Sequence, residues 1–103
     1  MNAHRKPVVI LERGNGIVDV DVPAVSGWDG FDKLFLFLKN EYQARAINTI
    51  DGPDARKWVI EIEGHSIKIC HDDYGNSIHS LAEESADLVR RIGLDLEKRL
   101  ANC

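Results

Sequence analysis

The spacing of hydrophobic positions changes several times along the chain, and each change marks an element. Val8 to Glu12 and Ile17 to Val22 are β-branched runs on either side of Arg13-Gly14-Asn15-Gly16. Asn-Gly between two apolar runs is the strongest short hairpin signal. Two registers are open. A loop at Gly14-Asn15 sets Leu11 opposite Val18 and Val9 opposite Val20. A loop at Asn15-Gly16 sets Glu12 opposite Asp19, and like charges directly opposed are unfavourable. The first is therefore preferred. Either way Val9, Leu11, Val18, Val20 and Val22 point inward, and Asp19 and Asp21 point out.

Helical spacing follows. Trp28, Phe31, Leu34, Phe35, Leu38 and Tyr42 form one stripe, behind Ser26 as a capping residue. The helix is expected from about Gly27 to Glu41. Leu36 and Phe37 fall off the stripe. Strands are then expected over Arg45 to Ile50, Trp58 to Glu63, Ser66 to His71 and about Ser77 to Ser80. Asp51-Gly52-Pro53-Asp54 is a dense turn. Gly64-His65 suits a two-residue turn with Gly first, which sets Ile62 opposite Ile67, Ile60 opposite Ile69 and Glu61 opposite Lys68. Asp73 to Asn76 reads as a four-residue turn that sets Cys70 roughly opposite His79. Ser80 with Glu83 is a capping box. Leu81, Ser85, Leu88, Val89, Ile92, Leu96 and Leu100 give the stripe of a last helix. Gly93 lies inside it and costs about 1 kcal/mol relative to Ala.

The order β-β-α-β-β-β-β-α implies an α+β two-layer sandwich, with a mostly antiparallel sheet of five or six strands and two helices on one face. With 103 residues the chain is expected to be one domain, residues 1–6 forming a disordered N-terminal segment. Hydrophobic residues at 44% and charged residues at 29% lie in the globular range. In layout and acidity the chain is similar to small bacterial binding proteins such as secretion chaperones and toxin-immunity proteins. That similarity is one of architecture, with no motif behind it.

Charge narrows the partners. Thirteen Lys and Arg against seventeen Asp and Glu argue against nucleic acid. No apolar run approaches a membrane span. Only Cys70 and Cys103 are present, so there is no disulfide framework and a reducing cytoplasm is expected.

The chemistry-bearing residues are few. There is no G-x-S-x-G, H-E-x-x-H or C-x-x-C, and Gly14-Asn15-Gly16 opens into a strand rather than a helix, unlike a phosphate cradle. No cofactor is implied. Cys70, His71 and His79 are metal-ligand types close in sequence, but alternation places Cys70 and His71 on opposite faces. Asp19, Asp21, Glu61 and Glu63 point away from the core and could steer a basic partner. Leu36 and Phe37 are surplus apolar residues suited to dimerisation or partner capture. The reading favoured is a non-catalytic protein-binding domain, self-associating as a homodimer. The alternatives are a metal-binding or metal-sensing domain using Cys70, His71 and His79, and a small-molecule binder or enzyme with a pocket near Trp28, Trp58 and His71.

Overall fold

A computed structural model describes residues 6–73 and 75–101. Most of the segment expected to be disordered, residues 1–5, lies outside the described residues, as do residue 74 in the expected turn and Cys103. The elements are β1 (Val9–Glu12), β2 (Val18–Asp21), α1 (Gly27–Tyr42), β3 (Arg45–Asp51), β4 (Arg56–Ile62), β5 (His65–Asp72), β6 (Gly75–Ser80) and α2 (Glu83–Ala101). The strands form one sheet in the order β1-β2-β6-β5-β4-β3, every neighbouring pair antiparallel. Both helices pack on one face, α1 against β5 and β6 and α2 against β1, β2, β5 and β6. The α+β sandwich expected from the pattern is the one observed.

The core lies between the sheet and the helices. It joins Val18, Val20, Ile60, Ile67, Ile69 and Ile78 of the strands to Phe31, Leu34, Leu38, Val89, Ile92 and Leu96 of the helices. The α1 stripe therefore packs as its spacing implies except at Trp28, which is 39% exposed. Ser26 makes no side-chain cap bond. The helix ends where Gln43 turns left-handed (φ 58°) and the Ala44 N–H bonds back to the Leu38 carbonyl at 3.1 Å. In α2, Gly93 has a packing reason: a Cβ there would stand 2.9 Å from Val20 Cγ2 and 3.0 Å from Ile10 Cγ1. The glycine lets α2 lie close against β1 and β2, which offsets its helical penalty.

The first hairpin adopts neither expected register. Ile10 pairs with Val20, Leu11 with Asp19 and Glu12 with Val18. The turn uses Gly14, Asn15 and Gly16 together, with the Arg13 N–H on the Ile17 carbonyl at 2.8 Å and Gly16 left-handed (φ 81°). A three-residue loop shifts the register by one, and a one-residue slip exchanges faces. Val8 and Ile10 therefore point toward the core, while Val9 and Leu11 point out.

The β4–β5 turn is Glu63-Gly64, not Gly64-His65. Both residues are left-handed (φ 55° and 81°), which makes it the primed turn that suits strand twist. The register moves by two residues. Ile60 pairs with Ile67 and Trp58 with Ile69, so the apolar face survives with new partners. Lys68 meets Val59, and Glu61 turns to Arg45 on β3.

Strand β6 starts at Gly75, earlier than expected, and pairs Cys70 with Ser77 and Lys68 with His79. The Ser80 hydroxyl does not cap α2; it accepts the Val18 N–H at 2.8 Å, tying β6 to β2. Ser85 meets the start of α2 instead, its hydroxyl donating to the Ala82 carbonyl at 2.9 Å.

Candidate functional site

The sheet face away from the helices is uncovered, and two cross-strand rows run over it. Asp19, His79, Lys68 and Val59 form one, and Asp21, Ser77, Cys70 and Lys57 the other. Alternation places them there because Val20, Ile78 and Ile69, their strand neighbours, face the core.

A continuous hydrogen-bonded chain links the two rows. Arg13 Nε donates to Asp19 Oδ2 at 2.7 Å. His79 Nδ1 is 2.8 Å from Asp19 Oδ1, and His79 Nε2 is 2.8 Å from Ser77 Oγ. Burial pushes the Asp19 carboxyl up, but hydrogen bonds from His79 and Arg13 outweigh it and hold the group below the ordinary carboxylate range. An ionised carboxylate only accepts, so Nδ1 carries the proton and donates. In the neutral ring Nε2 is then the acceptor, and the Ser77 hydroxyl donates to it. Asp19 is only 8% exposed, which shields these bonds from competing water.

Cys70 stands directly across from Ser77. Burial pushes its thiol up, against the pull of Lys68 and Lys57, so it is held in the neutral form and is a poor nucleophile. A recess of about 300 Å³ opens here, lined among others by Ser77, His79, Cys70, Asp21 and Lys57.

The inner face of the same sheet end is also polar, but it is filled. His71 Nδ1 lies 2.9 Å from Asn76 Oδ1. The Asn76 amide donates to the carbonyls of Val25 at 2.8 Å and Gly27 at 3.2 Å, which fixes the loop leading into α1. Trp28 stacks on His71 with ring centroids 4.4 Å apart. The Arg56 guanidinium lies 4.8 Å from the Trp28 ring centre, 5.3 Å from Phe31 and 5.5 Å from Trp58. Its Nη1 pairs with Asp32 at 2.8 Å. Its buried Nε is 3.4 Å from Asp51 Oδ1 without the alignment of a hydrogen bond. Trp28, Trp58 and His71 do come together as the pocket reading requires, but Arg56 occupies the space between them.

The other residues singled out by sequence fall in different places. Cys70 and His79 share the open face while His71 faces the helices, so the three do not converge. Among the described residues no group of three His, Cys, Asp or Glu side chains is placed to hold a metal ion. Of the four carboxylates, Asp19 pairs with Arg13, Glu61 with Arg45, and Glu63, in a turn, with Arg91 of α2 at 2.8 Å. Asp21 is exposed. Leu36 is exposed at 53%, whereas Phe37 packs on the core edge, edge-on to Tyr42 and under Arg99. Among the described residues no helix is long and apolar enough to cross a membrane.

Sequence reasoning missed Ser77 and the bare β3 edge. Ser77-x-His79 on one strand face was a usable signal, but Asp19 joins them only through the β2–β6 pairing. All seven β3 residues are exposed, including Ile47 and Ile50. The bulge between Ala46 and Asn48 breaks its alternation. Comparison with known proteins found no family model, no curated protein and no solved structure that matches this chain.

Proposed function

We propose that this chain is a protein-binding domain that associates with a second copy of itself through the β3 edge. The observation that supports the reading is the edge itself: seven residues, all exposed, carrying Ile47 and Ile50 at 52% and 58%. An edge strand presents unpaired N–H and C=O groups, and proteins commonly guard such edges by shortness, Lys, Pro or cover. The opposite edge, β1, is only four residues long. Strand β3 has one bulge as protection and carries neither Lys nor Pro. Antiparallel pairing of β3 with its copy about a twofold axis continues the sheet and satisfies the backbone. The acidic steering expected from Asp19, Glu61 and Glu63 is weakened because each already meets an arginine. A cytoplasmic setting fits the free Cys70 thiol.

Light scattering coupled to gel filtration tests this. The wild type is expected to run as a dimer. Ile47→Lys/Ile50→Lys is expected to run as a monomer with an unchanged far-ultraviolet spectrum. A monomeric wild type overturns the reading. So does a dimer that survives the double substitution, and loss of the dimer in Leu36→Asp instead would move the interface to α1.

A further inference from the structure

We propose that Ser77 is an acyl-accepting nucleophile, with His79 as its general base and Asp19 as positioning residue, in a recess on the open sheet face that admits a small neutral ester. This adds a chemistry to the association reading and does not rest on it.

Geometry supports each role. Ser77 Oγ is 2.8 Å from His79 Nε2, the distance at which a base can take the hydroxyl proton. The far ring nitrogen is anchored on Asp19 at 2.8 Å, which in the neutral ring selects the tautomer with Nε2 as acceptor. Arg13 holds the second oxygen of Asp19 at 2.7 Å, so the carboxylate keeps its orientation. The recess of about 300 Å³ gives an acyl group room beside Ser77. Asp21 and Lys57 in its wall offset each other, which favours a neutral substrate.

As the Ser77 Oγ–C bond forms to the ester carbonyl, the hydroxyl proton moves to Nε2 and the carbonyl π pair moves onto oxygen. Collapse of that oxyanion breaks the bond to the alcohol, which leaves with the proton from Nε2. The product is an acyl-serine. Water then attacks the acyl carbon through the same base, restoring Ser77 and releasing the carboxylic acid. Strand β6 is paired on both sides, by β2 and β5, so its backbone donors serve the ladders. The oxyanion is left to the positive charge of Lys57 and Lys68, which act on Cys70 directly across from Ser77. Loss of one dedicated oxyanion donor costs about 10²–10³-fold in rate. The reaction is therefore slow, and the covalent adduct is the readout to follow.

The experiment is incubation of the purified full chain with p-nitrophenyl acetate, followed by intact mass and peptide mapping. One acetyl group is expected on Ser77 in the wild type and none at that position in Ser77→Ala. His79→Gln is expected to acetylate about 10²-fold more slowly or worse. Asp19→Asn is expected to be slow and Asp19→Glu to regain part of the rate, a pattern that a purely structural carboxylate would not produce. An acetyl group that maps to Cys70 or a lysine overturns the proposal, as does a wild type that gains none. Equal acetylation of Ser77 in His79→Gln also overturns it. The wild-type map needs no variant to fold.

Discussion

His71 and Asn76 face each other across β5 and β6 with Nδ1 and Oδ1 2.9 Å apart, and the same Asn76 side chain holds two carbonyls of the loop before α1. Both residues are buried, Asn76 at 2% exposure. One amide thus joins the sheet to the entry of a helix that starts far away in sequence. Asn76→Ala strands the Val25 and Gly27 carbonyls and is expected to cost about 2 kcal/mol in urea unfolding. Asn76→Asp can still accept from His71 but cannot donate to either carbonyl, so it is expected to remain destabilised by at least about 1 kcal/mol. A fully stable Asn76→Asp would show that the two carbonyl bonds contribute nothing.

The register of the first hairpin can be read from a pair of substitutions. Val8 is 1% exposed beneath the helices, whereas Val9 faces outward beside Asp21. Val8→Lys buries a charge with no partner and is expected to cost about 3 kcal/mol or more. Val9→Lys places the ammonium near a carboxylate on the open face and is expected to stay within about 1 kcal/mol of wild type. The reverse order of urea midpoints would restore the register in which Val9 and Leu11 point inward.

Tyr42 and Asp95 join α1 to α2 through a 2.7 Å hydrogen bond from the phenol to the carboxylate. Burial and the bond to Asp95 push the Tyr42 phenol up to about 12. The bond from Tyr42, with help from Arg99, holds the Asp95 carboxyl below its ordinary range. A raised acid contributes stability that is complete below its unfolded value, about 10, and is lost as pH rises toward 12. The lowered carboxyl acts in the other direction: its contribution is present above about pH 4 and lost as pH falls through its folded value. Phenolate absorbance is expected to show one late-titrating tyrosine, which disappears in Tyr42→Phe. That variant is also expected to lose about 1 kcal/mol at neutral pH, a modest figure because the pair is only part-buried. Two tyrosines titrating together near pH 10 would contradict the bond.

Legibility in the sequence followed locality. The helices came from spacing within one segment, and α1 and α2 pack the stripes that spacing named except for Trp28 and Leu81, which are exposed, Leu81 lying ahead of α2. Turn chemistry was visible, but which residues occupy a turn was not. Gly14-Asn15-Gly16 offered two short loops and used all three residues, and the longer loop turns Val8 into the core and seats Ile10 under α2 where Gly93 makes room. Ser80 looked like a cap because Glu83 follows it, yet the Val18 N–H from β2 competed for the hydroxyl and took it. The candidate site was half visible: Asp19 and His79 stood out as separate residues, and Ser77 did not stand out at all.

What the sequence determined by itself was the class of architecture. Period-two and period-3.6 runs, their order and the antiparallel meander follow from short-range sterics and from the need to bury one face of each element. What only the tertiary structure decided was which residues meet across distant strands. The β2–β6 pairing brings Asp19 to His79 and Ser77 from sixty positions away. The placement of the helices over the sheet leaves β3 bare and seats Arg56 among Trp28, Phe31 and Trp58. Those outcomes depend on register and on which strands become edges. A one-residue slip or a different neighbour costs little in local preference yet changes every cross-strand contact.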